Sequence, residues 1–186
     1  MSSQSGSEAS PHLLISLGDP AGIGMEVVLK ALADPSLPTA LKPILVGCRR
    51  TLISTHQRLR RQSTIPLADP ADLCIDDQPL TIAVEPGQPS VAGASAGFDW
   101  LTRSVMLLKE KQARALVTAP IAKHLWHAAG RVYPGQTERL AELAGSARSS
   151  MLFTAISPHT GWRLNTLLAT THLPLNQVSQ LSLIHI

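Results

Sequence analysis

The stretch that decides the fold covers residues 113–143 and reads ARALVTAPIAKHLWHAAGRVYPGQTERLAEL. It opens with a short apolar run at residues 115–117, which breaks at the Thr-Ala-Pro sequence of residues 118–120. A helical pattern that carries Lys123 follows, and a tight turn within residues 133–138 then delivers Gln, Thr and Glu. A buried strand that ends in small and polar residues before a helix is typical of an α/β binding crevice, because helix N-termini and free backbone amides converge there.

Earlier parts of the chain show the same order of apolar strand, polar loop and helix. Residues 13–17 precede the glycine-rich loop GDPAGIG at residues 18–24, and good helix formers with apolar residues at helical spacing follow. Residues 63–80 are rich in proline and aspartate and are expected to form a loop or insertion. We therefore predict strands at residues 13–17, 43–46 and 80–84, and helices at residues 25–33, at 49–62, and from the small residues 93–97 through 108.

The late part of the chain has a different pattern. Two apolar runs, at residues 150–155 and 163–169, are separated by the turn sequence SPHTG at residues 157–161, which predicts an antiparallel hairpin. With the alternating strands and helices before it, this predicts an α/β fold with α/β/α layers around a mostly parallel sheet.

Composition excludes several classes of protein. The chain has 186 residues, 44% of them hydrophobic, which is enough for one ordinary domain with a real core. The net charge is only +3, and the cluster of Arg58, Arg60 and Arg61 is most simply a solvated helix face, so no nucleic-acid partner is expected. Two cysteines predict neither a disulfide framework nor a cysteine-based zinc site. Since no apolar run reaches transmembrane length, we expect a cytoplasmic protein without a membrane partner.

Several polar residues of the predicted loops are candidates for ligand binding. The loop at residues 18–24 matches neither the dinucleotide pattern G-x-G-x-x-G nor a Walker P-loop, so a tight structural turn and an anion-binding loop both stay open. Lys123 and Thr137 are candidate donors to an anionic substrate, Lys123 as a point charge and Thr137 through its hydroxyl. Glu138 follows the turn directly and is suited to complement the N-terminus of its own helix.

Histidines raise the question of a metal. His172 ends an apolar run, next to two threonines and ahead of a proline, where a neutral imidazole suits a divalent metal. A hydrogen-bonded structural histidine is the other interpretation, since one histidine cannot make a site. His124 and His127 lie three residues apart on one predicted helix, but the sequence between them gives no H-E-x-x-H pattern.

Four motifs, taken in order, resemble the 4-hydroxythreonine-4-phosphate dehydrogenase family of vitamin B6 biosynthesis. That family is similar in fold to isocitrate and isopropylmalate dehydrogenases. The combination is highly specific and covers nearly the whole chain. The motifs are LGDPAGIG at residues 17–24, ALVTAPIAK at 115–123, YPGQTERLAELAG at 133–145 and LLATTHLPL at 167–175.

The resemblance implies an oxidoreductase that uses NAD or NADP. It would oxidise the secondary alcohol of 4-phosphooxy-L-threonine to 2-amino-3-oxo-4-phosphooxybutanoate, which decarboxylates to 3-amino-2-oxopropyl phosphate. A divalent cation (Zn, Mg or Co), bound by three histidines, would polarise the alcohol oxygen. The family's TTHLP histidine, a metal ligand, matches His172, and its substrate-binding Gly-His-Thr turn matches Gln136 and Thr137. The family works as a homodimer with a shared metal site; no catalytic residue is assigned here.

The chain departs from the family in two respects. Gln136 replaces a histidine and, because it cannot become cationic, weakens any charge-assisted contact with a carboxylate or phosphate. The family also continues for nearly as long again after residue 186. We expect residues 1–12 to form a disordered tail, 13–180 the N-terminal part of a truncated two-domain dehydrogenase, and 181–186 a non-native terminus. Such a fragment would be inactive alone.

Other functions stay open. A sister activity on 4-phospho-threonate or 4-phospho-erythronate would use the same metal and hydride chemistry. The chain could instead be a metal-free, non-catalytic binding module. A phosphate acyltransferase is a third, weaker alternative, because some of these enzymes share the two-domain architecture.

Overall fold

The computed structural model of the chain describes residues 12–146, 149–170 and 173–182. Residues 181 and 182 are described by their backbone alone. It divides into two compact units, residues 1–144 and 145–186. The first unit contains β1 (His12–Ser16), α1 (Gly24–Ala31), β2 (Lys42–Gly47), α2 (Arg49–Gln62), β3 (Cys74–Asp77), α3 (Val91–Lys109), β4 (Ala115–Thr118), α4 (Lys123–Ala128) and α5 (Gln136–Ala144), and the second contains β5 (Leu152–Ile156), β6 (Arg163–Leu167) and α6 (Leu175–Ser182).

The first unit is built on a four-stranded parallel sheet with the order β3-β2-β1-β4. In the centre of the sheet Ile15 of β1 lies opposite Leu45 of β2 and Val117 of β4. Three consecutive residues of β1, Leu14, Ile15 and Ser16, are buried, so both faces of this strand are covered. The prediction of an α/β fold with a mostly parallel sheet is confirmed.

Helices cover the sheet in the way that right-handed crossovers require. Helices α1 and α2 pack on each other, whereas α3 packs on strands β1, β2 and β4. Because the chain moves outward through β1, β2 and β3 and then returns to β4, right-handed connections place α3 on the face opposite to α1 and α2. Helix α3 begins at a capping residue, Ser90, whose hydroxyl accepts a hydrogen bond from the Gly93 amide at 3.1 Å.

The third strand is not where the sequence pattern predicted it. It consists of Cys74–Asp77, inside the segment expected to be a loop, and pairs with β2 from Ile44 to Gly47. Residues 80–84 form no strand, although Leu80 is buried and Ile82 and Val84 pack against the core. The prediction of a strand at 80–84 was wrong because an apolar run can pack into the core without pairing with a strand. The strand β3 lies at the edge of the sheet, where backbone pairing on one side is sufficient.

The second unit contains the predicted hairpin. Strands β5 and β6 are antiparallel, with Leu152 opposite Leu167, and all ten strand residues are exposed within the structure. In the turn, the Ser157 amide donates a hydrogen bond to the Trp162 carbonyl at 2.8 Å.

His172 lies outside the described residues, as do residues 1–11 of the expected tail and residues 183–186. Strand β1 begins at His12, the last residue assigned to that tail. None of the helices in the described ranges has the length and apolar character needed to cross a membrane.

Candidate crevice at the edge of the parallel sheet

The candidate site lies where the strand order reverses. The chain leaves β1 towards β2 on one side and returns to β4 on the other, so the carboxyl ends of β1 and β4 flank a crevice. Two hydrogen bonds tie the loops that follow these strands: the Ala119 amide donates to the Ser16 carbonyl at 2.9 Å, and the Asp19 amide donates to the Pro120 carbonyl at 3.0 Å. The glycine-rich loop and the Thr-Ala-Pro segment are therefore in direct contact at this edge of the sheet.

Close backbone packing fixes the shape of the glycine-rich loop. Gly18 has a φ of +71°, and a Cβ at this position would lie 2.3 Å from the Pro120 carbonyl oxygen. The Asp19 carboxylate is buried and accepts a hydrogen bond from the Ala21 amide at 2.9 Å, while its carbonyl accepts one from the Gly22 amide at 3.0 Å. The loop uses these two amides for hydrogen bonds within its own turn. This supports the interpretation of GDPAGIG as a tight structural turn.

A cavity of about 570 Å³ opens beside this loop. Its walls come from the glycine-rich loop, the first turn of α1, helix α2, the segment after residue 84 and the segment after β4. Most of the lining is apolar, with three charged side chains among it. The lining residues are Asp19, Ala21, Gly22, Ile23, Glu26, Arg58, Pro86, Gly87, Pro89, Pro120, Ile121 and Ala122.

Gln136, predicted to contact substrate, is attached to the same edge of the sheet. Its side-chain Nε2 donates a hydrogen bond to the Ala119 carbonyl at 3.2 Å. A carbonyl oxygen only accepts hydrogen bonds, so the NH₂ end of the carboxamide must face Ala119 and Oε1 remains as an acceptor. Thr137 is the next residue of α5 and is half-buried. The structure thus brings both residues next to the end of β4, and their contact with substrate stays a prediction.

Two opposite charges flank the turn that precedes Gln136. A Cβ at the buried Gly135 would lie 3.4 Å from Lys123 Nζ and 3.3 Å from Glu138 Oε2. Lys123 is exposed, which leaves its ammonium group accessible beside the turn. Glu138 Oε2 is buried and has no hydrogen-bond partner within the described part of the chain. The predicted cationic donor therefore does lie near the predicted substrate turn.

A cluster of aromatic rings and arginines holds this turn against α3. The ring of Phe98 meets Trp126 edge-on at a centroid distance of 5.0 Å and lies 5.7 Å from the ring of Tyr133. The guanidinium groups of Arg131 and Arg139 lie 4.8 and 4.7 Å from the centre of the Phe98 ring. No local sequence pattern indicates this cluster, because its members come from three separate segments and show no common spacing.

Arg139 extends the cluster to Glu142 on the same helix. Its Nη1 lies 3.1 Å from Glu142 Oε1 and 3.2 Å from the Tyr133 hydroxyl. A hydrogen bond from Tyr133 and, to a smaller extent, the positive charge of Arg139 lower the pKa of Glu142 below its ordinary value. Both effects stabilise the ionised carboxylate.

The histidines of the described residues do not form a metal site. His127 Nε2 lies 2.8 Å from the Tyr133 carbonyl, so that ring nitrogen is engaged, and His124 is exposed. Across the ranges that the structure describes, no three His, Cys, Asp or Glu side chains are grouped closely enough to hold a metal ion. The predicted ligand His172 is outside these ranges, so its role stays a prediction.

A parallel sheet with a preformed crevice at its switch point defines the class of α/β proteins that bind a small molecule at the sheet edge. Comparison with known proteins specifies the class further. A sequence model of the family described as pyridoxal phosphate biosynthetic protein PdxA matches residues 39–183. The chain belongs to this family, as its four motifs predicted.

Relatives and solved structures agree with this membership. The chain is 59% identical over 168 residues to a 4-hydroxythreonine-4-phosphate dehydrogenase from Synechococcus sp. (strain RCC307), a match that covers 90% of the chain and 50% of the relative. It is 32% identical over 174 residues to the enzyme of the same name from Zymomonas mobilis, with 89% and 50% covered. A crystal structure of such a dehydrogenase from Burkholderia phymatum is similar with a TM-score of 0.74 at 28% identity, covering 91% of this chain and 52% of that one. The chain thus spans about half the length of the curated relatives that it matches.

Proposed function

We propose that this chain supplies part of an NAD(P)-dependent 4-hydroxythreonine-4-phosphate dehydrogenase, which oxidises 4-phosphooxy-L-threonine to 2-amino-3-oxo-4-phosphooxybutanoate on the way to 3-amino-2-oxopropyl phosphate. The observation that carries the proposal is the 59% identity to a relative of that name over 90% of the chain. Because the chain corresponds to half of that relative, we expect the 186-residue chain alone to be inactive.

The proposed substrate matches the polar groups at the crevice. It carries an ammonium and a hydroxyl group, which donate hydrogen bonds, and a carboxylate and a phosphate, which accept them. Gln136 Oε1 is an acceptor and suits one of the donor groups, whereas Lys123 and the Thr137 hydroxyl suit the anionic groups. These residues would bind and orient the substrate next to the end of β4.

A divalent metal ion is part of the proposal only through His172. The described residues do not form a metal site by themselves. His172→Ala should lower the metal content of the complete enzyme, whereas His159→Ala, in the exposed turn of the hairpin, should not. Equal metal content in both variants, measured by mass spectrometry of the purified proteins, would remove His172 from the proposal.

A fusion protein tests the activity directly. The chain is joined to the remaining half of the Synechococcus relative, and reduction of NAD or NADP is followed with 4-phosphooxy-L-threonine and a divalent cation. We expect turnover from the fusion and none from the 186-residue chain alone. If the intact relative turns over the substrate and the folded fusion does not, the proposal is wrong.

Gln136 favours one alternative substrate class. Because it stands where the family has a histidine, a phosphorylated hydroxy acid such as 4-phospho-threonate or 4-phospho-erythronate is the second candidate. A substrate panel on the same fusion decides between the two classes by comparison of kcat/KM.

We further propose a homodimer in the cytoplasm. Light scattering of the fusion tests the first statement and cell fractionation tests the second. A monomer at micromolar concentration, or recovery with membranes, would contradict them.

A further inference from the structure

Arg58 of α2 differs from its two basic neighbours. Arg60 and Arg61 are exposed, as a solvated helix face requires, whereas Arg58 is half-buried. Its Nε is buried without a hydrogen-bond partner, and its Nη1 makes one long contact of 3.4 Å with Gln62 Oε1. Because Nε has no accessible surface, a ligand could be reached only by the two Nη groups, and this long contact uses one of their four N–H donors, so Arg58 has unused capacity for an acceptor.

The unused donors belong to a residue that lines two adjoining cavities. Gly22, Arg58 and Pro86 are common to the cavity of about 570 Å³ and to a smaller one of about 190 Å³. The larger volume lies within the range of roughly 300–1,000 Å³ that is typical of pockets for small molecules. Arg58 therefore stands between two spaces that are accessible to a ligand.

The negative charges in the larger cavity already have partners. Asp19 accepts a hydrogen bond from the Ala21 amide at 2.9 Å, and Glu26 forms an ion pair with Lys30 at 2.6 Å. No carboxylate within the described ranges forms an ion pair with Arg58. Gly22 and Ile23, which precede α1, line the same cavity, so the positive end of that helix adds to the charge of Arg58. Because the Ala21 amide is neutral, Asp19 keeps its negative charge, and Arg58 is the positively charged lining residue that can pair with an anion.

We propose that this cavity binds a small organic anion, with a carboxylate or phosphate on Arg58 and an apolar body against Ile23, Pro89 and Ile121. The planar guanidinium fork matches both kinds of acceptor in a bidentate contact. Neither Lys123 nor Gln136 or Thr137 lines this cavity, but residues 120–122, which follow β4, do, so the cavity adjoins the substrate turn without including it. The proposal concerns binding and does not depend on dehydrogenase activity.

Titration calorimetry of the 186-residue chain with phenyl phosphate, benzoate and inorganic phosphate tests the proposal. We expect saturable binding of an aromatic anion, weaker binding of inorganic phosphate, and no binding of neutral benzyl alcohol in the same range. Phenyl phosphate tighter than benzoate would identify phosphate esters as the class, and the reverse would identify carboxylates. Absence of saturable binding of both aromatic anions at millimolar concentration would overturn the proposal.

Matched variants locate the site. Arg58→Gln should weaken binding by at least about tenfold, the loss expected for a charge-assisted hydrogen bond, while Arg61→Gln on the same helix should leave it unchanged. Ala122→Leu at the cavity wall provides a second variant that keeps the arginine, and it should weaken the aromatic anions more than inorganic phosphate. Equal affinity in Arg58→Gln and Arg61→Gln, with both variants folded by circular dichroism, would overturn the assignment. Amide shifts on binding must include Gly22 and Gly87; shifts confined to other parts of the chain would also overturn it.

Discussion

Replacing Gly97 by alanine tests whether α3 and the glycine-rich loop are in direct backbone contact. A Cβ at Gly97 would lie 2.7 Å from the Gly18 carbonyl oxygen and 3.1 Å from its carbonyl carbon. The loop cannot move aside easily, because the next amide, Asp19, is hydrogen-bonded to the Pro120 carbonyl at 3.0 Å. Relief of the contact therefore requires a shift of the helix or of the whole loop.

The size of the effect follows from two opposing terms. An extra methyl group in a well-packed site costs roughly 1–3 kcal/mol, and the upper end applies where a main-chain atom is contacted. Alanine is more favourable than glycine in a helix by about 1 kcal/mol. The free energy of unfolding should then fall by about 2 kcal/mol, which corresponds to a decrease in Tm of about 4–8 °C for a chain of this size.

Urea denaturation of the full chain, followed by circular dichroism, measures this loss. Gly93→Ala in the same helix is the matched control, because its Cβ would meet only side-chain atoms, of Ser90 at 3.2 Å and of Pro20 at 3.3 Å. These atoms can move by a few tenths of an ångström, so the control should change stability by less than about 1 kcal/mol. The reasoning is refuted if Gly97→Ala is as stable as the unmodified chain, or if both variants lose the same amount.

Further predictions concern the residues around the substrate turn. Phe98→Ala should lower the free energy of unfolding by about 3–5 kcal/mol, because it leaves a cavity under two arginines and two aromatic rings; a urea titration showing a loss below about 1 kcal/mol would contradict this. The lowered pKa of Glu142 means that its ionised form stabilises the fold above the ordinary carboxyl pKa and that this stabilisation is lost as the pH falls through the folded pKa, so Glu142→Gln should be destabilising near neutral pH and neutral in acid. If the urea midpoints of Glu142→Gln and of the unmodified chain differ by the same amount at both pH values, the ionisation of Glu142 does not stabilise the fold. Gln136→Glu should be destabilising at neutral pH by about 1–2 kcal/mol, since it places a carboxylate oxygen against the Ala119 carbonyl; unchanged stability would show that the amide contact is unimportant.

The periodicity of the sequence was sufficient for most of the sheet, because β1, β2 and β4 are apolar runs followed by small or polar residues. It failed at β3, whose sequence CIDD carries two aspartates. Asp76 is accommodated there by an ion pair with Arg103 of α3 at 2.7 Å, and Asp77 accepts a hydrogen bond from the Arg49 amide at 2.8 Å. Both partners are distant in sequence, so no local pattern could predict that these residues belong to a strand.

In the site, too, some features could be predicted from the sequence, whereas others depend on contacts with residues that are distant in sequence. The meeting of residues 18–24 with residues 118–122 follows from topology, since parallel strands end at one edge of the sheet. The orientation of Gln136 could not be predicted, because it depends on the carbonyl of Ala119, seventeen residues earlier. Arg58 was placed on a solvated helix face together with Arg60 and Arg61. Arg58 differs from these two neighbours, because it is half-buried and lines two cavities together with Pro86.

The glycines at the crevice also determine how it responds to a ligand. A Cβ at Gly24 would lie 2.4 Å from the Leu17 carbonyl oxygen and 2.8 Å from Ala119 Cβ, so this wall, like the contact between Gly18 and Gly97, is closed to any larger residue. The conformational entropy of ordering the wall is therefore lost once, during folding, and a ligand has little further backbone to order there. Amide protons of residues 17–24 should consequently exchange with solvent at the same slow rate whether the crevice is empty or occupied.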